Sequence, residues 1–450
     1  MLDTKSLEIL ASALERLDAG FHHLPEFVPH SSSKERLAEV LASTAEKLED
    51  NFPYFHPLYA GQMLKPPHPI ARLAYALAMF INPNNHALDG GRATSALEKE
   101  AVAEIAAMFG WYEFLGHLCG GGTMANLEAL WVAGQLHPGK KILANEQAHY
   151  THKRISGVIQ LEFEPVRCDS RGRMDLGALE SRLAKNDVGT VVATLGTTAT
   201  GSVDPLTEIL SLRERYGFRI HVDAAYGGYF ALAKNLDAPA EESFSRIKDA
   251  DSVVIDPHKH GLQPYGCGCV IFREASVGKL YKHESPYTYF SSAELHLGEI
   301  SLECSRPGAA AAALWATQKL LPLHPGGEFA KGLEAGREAA LQLYTRLRND
   351  DRFVPAFEPE LDIVVFLPRE ADEAKASVRS RKIFAAAAQH DLHLAVAELP
   401  LRFWSGMDFA DPDSEETVTC LRSVLMKPEH LDWVNPIWER VVRAHSDTKF

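Results

Sequence analysis

Two short apolar runs, residues 219–222 and 252–255, constrain this chain more than any other feature. They lie in FRIHVDAAYGGYF (218–230) and SVVIDPHKHGLQPYGCGCVIF (252–272), with an acidic, helical spacer between them. Both are rich in β-branched residues, show no polar alternation and are closed by turn residues, the pattern of strands buried on both faces of a parallel sheet. Asp223 stands at the carboxyl end of the first run and Lys259 just past the second. In open α/β sheets those ends form the ligand crevice. Taken singly, the Asp reads as a helix cap and the Lys as a surface loop residue; the rest of the chain reverses that reading.

Residues 7–17 and 34–48 have the apolar spacing of helices and are joined by the loop FHHLPEFVPHSSS. Ser33 followed by Arg36 is half a capping signal, since the Glu or Gln of a capping box is missing. This pair lacks the apolar surface for a core of its own and is expected to pack elsewhere on the protein or on a second subunit. The stretch NFPYFHPLYAGQMLKPPHPIARL is a Pro- and aromatic-rich loop that can line a pocket with His56, Tyr59, Gln62 and Lys65. Helices are expected at 71–80 and 93–109. In HLCGGGTMANLEALWVAGQLHPG, three glycines precede a helix, where backbone amides can hold a phosphate, although tight turns need glycine for steric reasons alone. A strand at 141–144 leads to His149, whose flat ring can stack on a planar cofactor or be a solvated loop residue. A small strand, a turn at 169–172 and a helix at 176–183 follow. A buried strand at 190–195 then runs into GTTATGSVDP, which offers Thr197, Thr198 and Ser202, and a helix occupies 206–216.

Strands thus alternate with helices across residues 110–275, as in a mostly parallel sheet with helices on both faces. His149, Thr197 or Thr198, Asp223 and Lys259 all follow carboxyl ends of predicted strands. A Lys beside an Asp in that crevice suits a Schiff base to an aldehyde cofactor, with the Asp keeping a pyridinium nitrogen protonated.

The chain has 450 residues, 46% hydrophobic and 24% charged, as in a globular enzyme. Its net charge of −14 argues against nucleic acid or an anionic membrane as a partner. The acidic N-terminus does not read as a secretory signal. No uninterrupted apolar run reaches the ~18 residues of a membrane span. Six scattered cysteines do not form the framework of a small secreted domain and point to a reducing cytoplasm. Cys267 and Cys269 form a C-x-C on a predicted strand, read as small buried side chains rather than metal ligands.

With these residues in place, the chain resembles the group II pyridoxal-phosphate-dependent amino-acid decarboxylases, the family of the aromatic-amino-acid, glutamate and tyrosine/aspartate enzymes. The likeness runs from HPLYAGQML through GGTMANLEAL, NEQAHYTHK, TLGTTATGSVDP, HVDAAYGGYF and DPHKHG to ECSRPGAAAAALW. The resemblance implies an α/β fold of the PLP-dependent transferase type I, with a large, mostly parallel sheet domain and a smaller C-terminal α+β domain. It also implies a homodimer with active sites at the subunit interface. The expected division is 1–65 as an N-terminal arm on the partner subunit, 66–320 as the cofactor domain and 321–450 as the small domain. By the same resemblance Lys259 is the Schiff-base lysine and Asp223 the partner of the pyridine nitrogen. Ala225 lies under the ring and His149 above it, Gly122, Thr123 and His258 hold the phosphate, and Thr197 or Thr198 stands near the ring. Tyr287 and Tyr289, in YKHESPYTYFSSAELHLGEI, are candidates for the loop tyrosine that returns a proton after carbon dioxide leaves. Gln62 and Arg306 are candidate substrate contacts, Arg306 through a planar fork that fits a carboxylate or phosphate, with a structural role as its alternative. Asp256 stands where many aromatic-acid relatives have Asn, and a carboxylate there repels phosphate unless it points away.

A helix at 329–344, a strand at 362–366, a helix at 378–389 and a hairpin region through Phe403 make up the expected small domain. Arg402 within it is either a carboxylate clamp or a strand-edge structural residue. The implied activity is decarboxylation of an L-amino acid to its amine. The alternatives are another reaction on the same cofactor, aminotransfer or carbon–carbon cleavage, and a degenerate cofactor-binding protein.

Overall fold

The computed structural model describes residues 5–28, 33–282, 301–411 and 414–448. The chain begins with α1 (Leu7–Ala19) and α2 (Lys34–Leu48), neither of which buries a residue. Ser33 Oγ accepts the Arg36 N–H at 3.2 Å, so half a capping box suffices to start α2. Leu7, Ile9, Leu37, Val40, Leu41 and Leu48 stay exposed. Helices α3 (Pro69–Met79) and α4 (Leu88–Met108) follow, and the helical dihedrals of α4 are interrupted at Gly91.

The central sheet contains β1 (Leu115–Cys119), β2 (Lys141–Asn145), β3 (Phe163–Val166), β4 (Val188–Thr194), β5 (Arg219–Asp223), β6 (Ser252–Ile255) and β7 (Gly268–Phe272). Their order is β1-β7-β6-β5-β4-β2-β3. Strands β2 to β6 run parallel, and β7 is antiparallel to both its neighbours. Every residue of β4, β6 and β7 is buried, which is why these strands read as continuous apolar runs. The crossovers are α5 (Gly122–Leu136), α6 (Thr151–Val158), α7 (Leu176–Leu183), α8 (Leu206–Tyr216) and α9 (Ala238–Ser245). In register, Asp223 faces Thr194 on β4 and Val254 on β6. Asp223 therefore leaves the sheet at the same edge as the loops after β4 and β6.

After the short α10 (Gly278–Tyr281), α11 (Gly308–Leu320) packs against α3 and α4. A second sheet, β10-β11-β9-β8, is antiparallel throughout. Its strands are β8 (Phe353–Pro355), β9 (Ile363–Pro368), β10 (Ala395–Pro400) and β11 (Thr417–Val424), packed with α12 (Glu328–Arg348), α13 (Glu373–Ala388) and α14 (His430–Asp447).

Three strands and one helix escape the sequence pattern for identifiable reasons. In β1, Gly116 breaks the strand signal because a Cβ there would sit 3.0 Å from Val270 O and 3.1 Å from Val102 Cγ1. The short β8 ends on Pro355. In β11 the buried Arg422 disguises a core strand; its guanidinium donates to Gly61 O, Thr198 O and Ala199 O, which satisfies the charge. The region expected as a local hairpin instead pairs β10 with β11, across a long connection. Pro436 inside α14 masks that helix.

Candidate active site

A cavity of about 500 Å³ opens at the carboxyl edge of the central sheet. One wall is the N-terminus of α5. Gly121, its cap, has φ +148° and offers no side chain to the first-turn amides. A Cβ on Gly122 would stand 2.7 Å from Asp256 Oδ2, and one on Gly121 3.2 Å from His258 Cε1. The glycines thus let the helix start approach the Asp256–Lys259 loop and leave orphan N–H groups for an anion.

A buried network fixes α5 in place. Asn126 Nδ2 donates to Gly122 O at 2.8 Å, and Asn126 Oδ1 lies 2.8 Å from His221 Nε2. The amide oxygen only accepts, so Nε2 carries the proton and Nδ1 accepts from Ser252 Oγ, 2.9 Å away. Burial pushes His221 down to about 3, so this ring is neutral.

Asp223 lines the cavity from the end of β5. Its Oδ2 accepts from His152 Nε2 at 2.7 Å and its Oδ1 from Ala225 N–H at 3.1 Å. Burial opposes its charge, but the His152 hydrogen bond and the nearby Lys259 outweigh that and hold the carboxyl well below the usual range. Lys259 Nζ lies 2.9 Å from Asp256 Oδ2. His258 Nδ1 sits 2.8 Å from Cys267 O, which only accepts, so that nitrogen carries the proton. His149 Nδ1 accepts the Thr151 N–H at 3.3 Å. Burial lowers the pKa of both His149 and His258.

The cavity brings Gly122, Thr123, His149, Thr198, Asp223, Ala225, His258 and Lys259 together. Thr197 is not among them. It is fully buried, with Oγ1 2.8 Å from Thr200 Oγ1 and accepting Ser202 N–H at 3.0 Å, whereas Thr198 is exposed on the cavity wall. Arg306 needs correction as a substrate contact. It is buried, and its Nη1 donates to Glu98 Oε1 and to Leu118 O, both at 2.6 Å, so the fork is committed inside the protein. Gln62 is exposed, 3.4 Å from Arg422 Nη1, and is not part of the lining. Arg402 bonds Glu146 and lies 3.3 Å from Cys168 Sγ, so it too is held within the fold. Tyr287 and Tyr289 lie outside the described residues. Cys267 and Cys269 are packed in the core.

Sequence reasoning passed over His152, although QAHYTH places it three residues beyond His149 on the opening turn of a helix. It also passed over Thr194 and Tyr226, which line the same cavity. Two buried atoms of lining residues, Asp256 Oδ1 and Thr194 Oγ1, have no partner among the described residues. Unpaired polar atoms at such a site call for a polar ligand.

The family model of the pyridoxal-dependent decarboxylase conserved domain matches residues 133–369. An L-tyrosine decarboxylase of Enterococcus faecium is 27% identical, over 93% of this chain and 89% of that protein. An L-aspartate decarboxylase of Thermococcus kodakarensis is 28% identical, over 76% and 88%. The crystal structure of mouse CSAD superposes with a TM-score of 0.78 at 20% identity, covering 99% of this chain and 93% of that one. That of Oryza sativa TDC with PLP and tryptamine gives 0.77 at 16% identity, covering 99% of each. These two share the fold.

Proposed function

From the premise that the chain belongs to the pyridoxal-dependent decarboxylase family and is a pyridoxal-phosphate-dependent amino-acid decarboxylase, we propose that the cavity around Lys259 and Asp223 is where its reaction takes place. The observation that carries this reading is the meeting of an ionised Asp223, an amine on Lys259 and an uncapped helix start in one cavity.

The residues fit the cofactor. The α5 amides at Gly122 and Thr123, with His258, suit its phosphate. Asp223 suits the ring nitrogen, His149 and Ala225 its two faces, Thr198 its edge, and Lys259 its aldehyde carbon. Asp256 lies 2.9 Å from Lys259 Nζ, which gives its carboxylate the lysine amine as a partner. When bound, the cofactor supplies an electron sink for the pair released as carbon dioxide leaves.

The protein's own groups do the rest. Asp223, held ionised, would keep a proton on the cofactor's ring nitrogen. His149, neutral and with Nδ1 occupied by Thr151, offers a flat surface to a planar group. Buried Ala225 and Tyr226 form part of the cavity wall. Tyr287 or Tyr289 returns a proton to the α-carbon.

The proposed organisation is an arm at 1–65, a cofactor domain at 66–320 and a small domain at 321–450. The exposed apolar residues of α1 and α2 support docking of that arm on a partner subunit, giving a homodimer. No helix among the described residues is long and apolar enough to cross a membrane. Burial raises the pKa of Cys119, Cys168, Cys267, Cys269 and Cys420, which keeps them as thiols, and six cysteines scattered along the sequence suit a reducing cytoplasm.

The test is carbon dioxide and amine release from a panel of L-amino acids, beginning with tyrosine, aspartate and glutamate. Stoichiometric carbon dioxide and amine from at least one is expected. Conversion to a keto acid without carbon dioxide would assign the cavity to aminotransfer instead.

A further inference from the structure

His152 has no part in the reaction as described above. It is fully buried on the first turn of α6, with Nε2 2.7 Å from Asp223 Oδ2. The carboxylate only accepts, so Nε2 carries a proton. Nδ1 has no partner.

An apolar side chain would fill the same space beneath the cavity without leaving a ring nitrogen unpaired. The titratable groups that face Asp223 are His149 from the loop before α6, His152 on α6, His221 on β5, and Lys259 after β6, with Asp256 close to His149. His221 is committed to Asn126 and Ser252, His149 to Thr151, and Lys259 to Asp256. Among the described residues, His152 is therefore the side chain that hydrogen-bonds Asp223. The remaining bond, from Ala225 N–H, is local and holds only Oδ1.

We propose that His152 is a positioning residue: its Nε2–H fixes the orientation of the Asp223 carboxylate toward the ring nitrogen of the cofactor. This rests on the reading of Asp223 as the partner of that nitrogen. His152 thus acts on the cofactor through one intermediary and touches neither substrate nor cofactor.

The test measures binding of pyridoxal phosphate, and of its carbocyclic analogue with CH in place of the ring nitrogen, to the full-length apoprotein by fluorescence quenching. His152→Leu is expected to weaken pyridoxal phosphate about tenfold, the scale of one hydrogen bond to a charged group, while leaving the analogue's affinity unchanged. His152→Gln, whose amide N–H has comparable reach, restores most of the loss. Equal weakening of both ligands, or no weakening of either, would overturn the proposal by making His152 a packing residue. Wild-type protein that binds both ligands alike would overturn the Asp223 reading itself, a separate outcome visible before any variant is made.

Discussion

A Lys259→Ala enzyme is expected to lose the absorbance of the lysine-bound cofactor and to turn over roughly 10⁴-fold more slowly or worse, the scale on which losing a nucleophile that acts within a unit is felt. Lys259 follows β6, the strand beside the one that delivers Asp223, and its side chain is 21% exposed. No neighbouring amine can replace it: the other basic groups lining the described cavity are the imidazoles of His149 and His258. Absorbance of the purified variant and single-turnover release of carbon dioxide check the two halves separately. Retention of both would remove Lys259 from the mechanism.

Arg306→Met is expected to destabilise the fold by about 3–5 kcal/mol, the cost of leaving a buried charge without its partner. Glu98 is 1% exposed, and besides Arg306 it takes Leu118 N–H at 2.9 Å and Asn85 Nδ2 at 2.6 Å. Arg306 also reaches Asn85 O at 3.3 Å, so one ion pair ties α4, β1 and the start of α11 together. Urea unfolding should show the loss as a lower midpoint, and Glu98→Gln combined with Arg306→Met should recover part of it. An unchanged midpoint with a raised KM would instead return Arg306 to the role of substrate clamp.

That arginine marks where the sequence stops being legible. Strands β4 to β6 could be read because burial on both faces leaves a local signature of β-branched residues without alternation. Asp223 and Lys259 stand where two of those strands end and His149 follows β2, and topology alone brings them to one edge. The helices at 34–48, 176–183 and 206–216 agree with the structure residue for residue, each having clear apolar spacing and definite ends. The environment of Arg306 is set by Glu98 and Asn85, about two hundred positions away in the chain, and no local pattern reports such a partner. Arg422 hides β11 for the same reason, since its acceptors come from the loops at 61 and 198–199.

Within the site, chemistry was more legible than orientation. Thr197 and Thr198 are identical in type and adjacent, so only the turn closed by Thr200 and Ser202 decides which hydroxyl is consumed internally. His152 reads as one more polar residue of a short helix until the fold sets it against Asp223. Asp256, which could have conflicted with a phosphate, faces Lys259 in the structure.

The most direct measurement of the account is borohydride reduction of the holoenzyme followed by peptide mapping, which fixes the cofactor to whichever lysine bears it. A phosphopyridoxyl group on the peptide containing Lys259, and on no other, is the expected result; the same label on a different lysine would contradict the placement of the active site.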